Sequence, residues 1–165
     1  MKKLISLLSV LLVSATLAVA AETNSTSLFS DKELRLDAFA TYQHDADWGY
    51  GLGLTYYQTK NIGVSVWTAK DNFDWGNGKF FQTLDTSLLL RVPVTDVLAP
   101  YVTLGNRWNI EDDLFVPVAG LGAEYRITKK FGAFVEGTYG FGEWGRWSLP
   151  EWKDVGVRMG VKLGF

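Results

Sequence analysis

The twelve residues 154-DVGVRMGVKLGF-165 decide the fold of this chain. The odd-numbered positions from 155 to 165 are all large and apolar, whereas the even-numbered positions between them are glycine or charged. Side chains of a β-strand point alternately to opposite faces, so the pattern predicts a strand with one unbroken apolar face and one charged or open face. Such a strand suits a barrel that presents aliphatic side chains to lipid and charges to its interior.

The same period of two recurs along the rest of the chain. Seven further segments alternate in this way: 34–43, 48–57, 62–67, 83–92, 102–108, 115–127 and 131–141. With residues 154–165 they make eight strands, and an even number lets both chain ends lie on one side of a membrane. The sequence therefore predicts an all-β fold, an eight-stranded antiparallel transmembrane β-barrel with an up-and-down meander.

The amino-terminal residues have the organisation of a secretory signal. Lys2 and Lys3 precede an apolar run over 4–17, and the small-x-small sequence 18–20 follows it. The run is shorter than the ~20 residues that a membrane-spanning helix needs. We therefore expect a cleaved signal peptide at 1–20, a polar N-terminal segment at 21–32 and an outer-membrane barrel at 33–165.

Charge and composition exclude several classes of function. Removal of Lys2 and Lys3 reduces the 16 basic residues to 14, against 18 acidic residues, so the net charge becomes −4. An acidic chain argues against nucleic acid as a partner. Cysteine is absent, which excludes thiolate metal sites, and no phosphate-binding loop, dinucleotide fingerprint or zinc spacing occurs. We expect no cofactor and no metal.

The connections between the predicted strands differ in length and charge. Those after the second, fourth and sixth strands are short, and the second and sixth contain lysines, whereas those after the third, fifth and seventh are longer and richer in Trp and acidic residues. This asymmetry is typical of short periplasmic turns and longer external loops. The external loop surface is predicted at Trp75, Trp144, Trp147, Asp112 and Asp113. Its acidic residues would bind divalent cations loosely, and its tryptophans belong either to an aromatic girdle or to a ligand-binding surface.

Every charge within the predicted strands falls on the face away from lipid. The set is Arg35, Asp37, Asp85, Arg91, Arg107, Glu124, Arg126, Glu136, Asp154, Arg158 and Lys162, six basic and five acidic residues. Unpaired charges in a dry interior are costly, so this near balance predicts a salt-bridge network rather than an ion path. Aromatic side chains on the same face would fill the lumen: Phe39, Tyr57, Trp67, Phe81 and Phe134. Glycines on this face would give these rings room.

His44 is the single histidine and the only candidate base for an acyl-transfer site. Its possible serine partners are poorly placed, because Ser87 points into the lumen by phase and Ser148 lies in a distant loop. A solvated loop histidine is the preferred interpretation, and we expect no catalytic residue.

The end of the chain resembles the C-terminal signal of bacterial outer-membrane β-barrels. Phe165, Leu163 and Val161 carry this resemblance, which implies recognition by the barrel-assembly machinery. Over residues 33–165 the alternation, the loop asymmetry and the signal peptide resemble the small OmpA transmembrane-domain and OmpX-type barrels. The chain ends at the last strand, so a periplasmic peptidoglycan-binding domain is not expected.

This resemblance implies a protein of the outer membrane of a Gram-negative bacterium, with periplasmic N- and C-termini. Its partners would be outer-membrane lipid and lipopolysaccharide, and its role structural or surface-interactive, with a plugged, non-conducting lumen. The alternatives are a narrow channel, a lipid-A-modifying enzyme and a soluble ligand-binding barrel. The soluble barrel requires apolar side chains inside and polar ones outside, which is the reverse of this pattern.

Overall fold

The computed structural model describes residues 27–43, 48–70, 81–110, 114–141 and 155–165. These residues form eight β-strands: β1 (Glu33–Gln43), β2 (Trp48–Tyr57), β3 (Ile62–Lys70), β4 (Thr83–Arg91), β5 (Leu98–Asn109), β6 (Leu114–Arg126), β7 (Phe131–Gly140) and β8 (Val155–Gly164). No helix in these ranges is long and apolar enough to cross a membrane.

The strands form one closed barrel in chain order. Each strand pairs antiparallel with the next, and β8 returns to pair with β1. Phe39 of β1 lies opposite both Gly51 of β2 and Gly160 of β8, which fixes the register at the closure. Because the ring is closed, these strands leave no unpaired sheet edge.

Two strands extend at least three residues further than the alternating pattern predicts. β3 continues to Lys70, and β5 begins at Leu98 rather than at 102. The sequence hides the start of β5 because Pro100 lacks an N–H and resembles part of a connection. In the barrel Pro100 pairs with Ala123, and its carbonyl accepts a hydrogen bond from the Val92 N–H at 2.9 Å.

Three short connections share one geometry and define what we call the turn end of the barrel. They join β2 to β3, β4 to β5 and β6 to β7, and each contains a threonine: Thr59, Thr95 and Thr128. The hydroxyl oxygen of each threonine accepts hydrogen bonds from the backbone N–H groups two and three residues later, at 2.9–3.3 Å. We call the opposite end, where 44–47, 71–80, 111–113 and 142–154 connect the strands, the loop end.

The outer surface of the barrel is apolar. Leu104, Val64 and Val135 are each at least half exposed in mid-strand. Near the loop end the rings of Trp108 and Phe115 stack with centroids 5.7 Å apart. From residue 34 to 42 the outward side of β1 runs about 26 Å along the strand, or about 20 Å along a barrel axis tilted by about 40°. This apolar band is close to the height expected of a transmembrane barrel.

Candidate functional site in the barrel lumen

Strand alternation directs the predicted charges into the interior. Nine of them are at most 5 % exposed: Arg35, Asp37, Asp85, Arg91, Glu124, Arg126, Glu136, Arg158 and Lys162. The Arg107 side chain is 15 % exposed. Asp154 lies outside the described residues. The lumen thus contains three groups of charges, one near each end of the barrel and one between them.

The turn-end cluster comprises Glu33, Arg35, Arg91, Glu124 and Arg126. Two guanidinium nitrogens of Arg126 donate to the two carboxylate oxygens of Glu33 at 2.6 and 2.8 Å. Arg35 also pairs with Glu33, and Arg91 lies 3.6 Å from it. One carboxylate is therefore shared by three guanidinium groups. Glu33 is absent from the charges predicted from sequence, because the recognisable alternation begins at residue 34.

Glu124 joins the second half of this cluster. It pairs with Arg126, lies 3.4 Å from Arg91 and accepts a hydrogen bond from the Tyr57 hydroxyl at 3.0 Å. The Arg91 guanidinium carbon lies 3.6 Å from the centroid of the Tyr57 ring. Charge pairing, hydrogen bonding and ring contacts therefore act on the same few side chains.

A lysine surrounded by aromatic rings occupies the middle of the lumen. The Lys162 nitrogen lies 3.5 Å from a carboxylate oxygen of Asp37 and 5.0 Å from the centroid of the Phe134 ring. The other oxygen of Asp37 accepts hydrogen bonds from Thr55 at 2.5 Å and from the Trp67 indole N–H at 2.7 Å. Asp37 thus links the central cation to the aromatic packing.

Glu136 differs from the other acidic residues of the interior. Its carboxylate accepts hydrogen bonds from the hydroxyls of Tyr101 at 3.1 Å and Thr103 at 2.9 Å. Arg158 is its cross-strand neighbour but pairs with Asp85 instead. Within the described ranges no cationic nitrogen lies within 4.0 Å of Glu136. Glu136 therefore belongs to the predicted set of interior charges but takes no part in the ion pairs of the described residues.

The loop-end cluster consists of Asp85, Arg107 and Arg158. Arg107 donates to both carboxylate oxygens of Asp85 at 3.0–3.3 Å, and Arg158 pairs with the same carboxylate. The Arg158 guanidinium carbon also lies 5.1 Å from a ring centroid of Trp67. This contact joins the loop-end charges to the aromatic core.

Three aromatic rings pack together in the lumen between these clusters. Phe39, Trp67 and Phe134 have centroids 5.5–6.1 Å apart and are all buried. Phe81 was predicted to join them, but it precedes β4 and is 37 % exposed, so that prediction is wrong. Leu89 and Tyr101, which pack with Tyr57 in a second buried group, fill the interior instead.

Inward glycines make room for this bulk, as the sequence predicts. A Cβ atom on Gly53 would overlap the Cδ1 atom of the Trp67 ring, and one on Gly164 would lie 2.8 Å from the guanidinium carbon of Arg35. Such contacts are shorter than van der Waals packing allows. Any larger residue at these positions would displace the neighbouring side chain.

The remaining predicted positions lie outside the lumen. Phe165, Leu163 and Val161 of the proposed assembly signal follow the outward phase of β8, and Phe165 is 78 % exposed. The external loop positions Trp75, Trp144, Trp147, Asp112 and Asp113, and also His44, lie outside the described residues. Among the residues that are described, no group of three His, Cys, Asp or Glu side chains is arranged to hold a metal ion.

Phe29 is a lumen residue that the sequence pattern does not reveal. It precedes β1 in the segment expected to be polar, yet it is only 4 % exposed. The guanidinium carbons of Arg91 and Arg126 each lie 4.7 Å from its ring centroid. An isolated aromatic residue in a polar segment, just before a strand with inward arginines, is the only sequence signal for this contact.

Comparison with known structures agrees with this architecture. No protein-family model and no curated protein matches the chain. A de novo designed transmembrane β-barrel superposes with a TM-score of 0.63 at 21 % identity, covering 82 % of this chain and 97 % of the design.

Two natural barrels from Pseudomonas aeruginosa are also similar. The N-terminal β-barrel domain of OprF has a TM-score of 0.57 at 20 % identity and covers 82 % of this chain and 99 % of that domain. The outer membrane protein OprG has a TM-score of 0.54 at 14 % identity and covers 82 % of this chain and 97 % of OprG. At these identities the likeness shows the fold. The chain has the fold of an eight-stranded transmembrane β-barrel, as the sequence predicts.

Proposed function

We propose that this chain is an integral outer-membrane protein of the small OmpA and OmpX type, with a structural or surface-interaction role and a lumen that does not conduct ions. The observation that carries the proposal is an apolar outer face around an interior filled by ion-paired and aromatic side chains. We assign no enzymatic activity to it.

The filling of the interior supports a closed lumen. An eight-stranded barrel has an interior about wide enough for side chains to fill. Here the inward charges of the described strands number six basic and five acidic, and most are paired with each other. The rings of Phe39, Trp67 and Phe134 pack between the charge clusters, so hydrated ions lack a continuous wet path.

The two ends of the barrel support an orientation in the membrane. The connections at the turn end are short, as periplasmic turns commonly are, and two of them carry Lys60, Lys129 and Lys130. In the proposed orientation both termini are periplasmic, and the acidic loop end meets lipopolysaccharide through bridging divalent cations. The exposed Phe165 at the end of β8 would be read by the barrel-assembly machinery during insertion.

Recording from the purified protein in planar bilayers tests the closed lumen. We expect no stable single-channel current. A steady ohmic conductance of the parent protein would contradict the proposal.

A narrow channel is the second candidate. In the part of the chain that the structure describes, six buried polar atoms lack hydrogen-bond partners. Two of them are the Lys162 nitrogen and the Asp37 carboxylate oxygen that lies 3.5 Å from it. Polar groups of this kind favour internal water. The planar-bilayer recording distinguishes the two functions, because a lumen that holds water but does not conduct ions gives no single-channel current.

A further inference from the structure

The segment before β1 crosses the mouth of the barrel at the turn end. Its Leu28 N–H donates to the carbonyl of Asp96, in the turn between β4 and β5, at 3.0 Å. At the other side, the Lys32 N–H donates to the Gln58 carbonyl at 3.4 Å, next to β1 and β2. In a ring of eight strands β5 lies opposite β1. Residues 28–32, which we call the strap, therefore span the opening.

Phe29 anchors the strap in the lumen. Its ring contacts the guanidinium groups of Arg91 and Arg126, both of which belong to the turn-end cluster. The Arg126 side chain also donates to the Leu28 carbonyl at 3.3 Å. The anchor thus consists of cation–π contacts and one long hydrogen bond, not of strand pairing.

The rest of the strap is weakly held. Ser30, Asp31 and Lys32 are exposed, although Asp31 accepts a hydrogen bond from the Lys60 N–H at 2.6 Å. Lys32 has a φ of 52°, a left-handed conformation that is uncommon for a residue other than glycine. This residue forms the corner between strap and β1. A segment with few backbone bonds and a strained corner opens more readily than a barrel strand.

The part of the lumen beneath the strap, which we call the chamber, is occupied by the turn-end cluster and is basic and rich in N–H donors. Arg35, Arg91 and Arg126 outnumber Glu33 and Glu124 there, which leaves one positive charge. Three buried nitrogens of the described cluster make no hydrogen bond: the Nε and Nη1 of Arg35, and the Nη2 of Arg91, which lies 3.6 Å from a Glu33 oxygen. All three are N–H donors. Displacement of Phe29 would expose guanidinium groups, and such groups bind oxyanions.

We propose that the strap is a displaceable gate at the turn end, and that the chamber it covers admits small anions when the Phe29 ring withdraws. The ring group of Phe39, Trp67 and Phe134 lies beyond the chamber, so the open state is an anion pocket reached from the turn end and not a through-pore. The inference goes beyond the proposed function, in which the lumen is closed, and it does not depend on which membrane holds the barrel.

A single cysteine can report access to the chamber, because the chain contains none of its own. Leu89 is fully buried and lies two residues before Arg91 on β4, further from the turn end. Leu89→Cys therefore places a thiol below the strap. In detergent micelles we would measure its rate of modification by an anionic sulfonate-bearing and a cationic ammonium-bearing methanethiosulfonate. The same reporter is then combined with Phe29→Ala.

The expected result is an acceleration of about tenfold by Phe29→Ala, because loss of two cation–π contacts weakens closure by about that factor. The sulfonate should react faster than the ammonium reagent. Phe134→Ala is the matched control, since it removes an equally buried ring from the far side of the chamber, and should leave the rate unchanged. Equal acceleration by both substitutions, no acceleration by Phe29→Ala, or a faster cationic reagent would overturn the proposal.

Phe29→Leu replaces Phe29→Ala if the alanine variant does not fold. It keeps apolar bulk and removes the ring, so a smaller acceleration with the same preference for sulfonate is expected. A rate equal to that of the parent reporter would then overturn the gate.

Discussion

Glu33 and Glu136 offer a direct test of how the lumen is stabilised. Both are buried glutamates, but Glu33 is shared by three guanidinium groups, whereas Glu136 accepts hydrogen bonds from two hydroxyls. Glu33→Gln removes the negative charge without changing the shape of the side chain. It leaves three arginines with Glu124 as the single acidic partner of the turn-end cluster.

The magnitude follows from the contacts. Loss of one partner from a buried ion pair destabilises by about 3–5 kcal/mol, because the remaining charge is buried without compensation. We expect Glu33→Gln to lower the free energy of unfolding by about that amount. Glu136→Gln is the matched substitution, and its amide oxygen can still accept from Tyr101 and Thr103. Its expected effect is about 1 kcal/mol, the scale of a modified neutral hydrogen bond.

Urea unfolding of both variants in the same lipid vesicles, followed by tryptophan fluorescence, measures the difference. The comparison cancels the general consequences of removing a carboxylate from the lumen. If Glu136→Gln proves as destabilising as Glu33→Gln, the ion-pair assignments are refuted.

Three further predictions concern the outer face, assembly and the turns. Leu88→Arg, on the exposed face of β4, should destabilise the barrel by about 2–4 kcal/mol in vesicles. Ser87→Arg should instead destabilise it by crowding the lumen. Thermal unfolding in normal and in thinned bilayers would distinguish the two effects, because only the cost of placing an arginine in lipid depends on the bilayer. Deletion of Phe165 should reduce outer-membrane insertion while export continues, and equal insertion of the shortened chain in membrane fractions would remove the assembly argument. Thr128→Val should destabilise by about 1–2 kcal/mol, since its hydroxyl accepts two backbone hydrogen bonds, and unchanged urea unfolding would contradict that role.

The sequence predicts the facing of strand residues well because the physical constraint is severe. A one-residue slip would place charges such as Arg35 in lipid and aliphatic residues such as Leu36 in the lumen. The free-energy cost of that exchange leaves one acceptable phase for each strand. Alternation alone therefore assigns Arg91 and Lys162 to the interior.

Pairing inside the lumen is harder to predict, because alternation fixes a face but not a partner. Arg158 lies opposite Glu136 across β7 and β8, yet it pairs with Asp85 on β4. Long side chains reach across a narrow barrel, so the closest neighbour in register need not be the electrostatic partner. Glu136 therefore has hydroxyl donors although a cation, Arg158, is its neighbour in register.

Residues outside the alternating segments are missed for a related reason. Phe29 precedes β1, and its burial depends on the path of the strap across the mouth, which has no period. Phe81 shows the opposite error, since an aromatic residue near a strand was assigned to the interior although β4 begins at Thr83. In both cases tertiary position, not local pattern, determines exposure.

The central claim is that one face of these strands meets lipid and the other a sealed interior, and neighbouring positions on β3 test it. Val64 is 52 % exposed, whereas Ser65 is 3 % exposed and lies between the small residues Thr55 and Ser87 of the neighbouring strands. Nitroxide labels on Val64→Cys and Ser65→Cys in lipid vesicles would be compared for collision with oxygen, which concentrates in lipid. The barrel described here predicts high oxygen accessibility at 64 and low accessibility at 65, and the reverse order would contradict it.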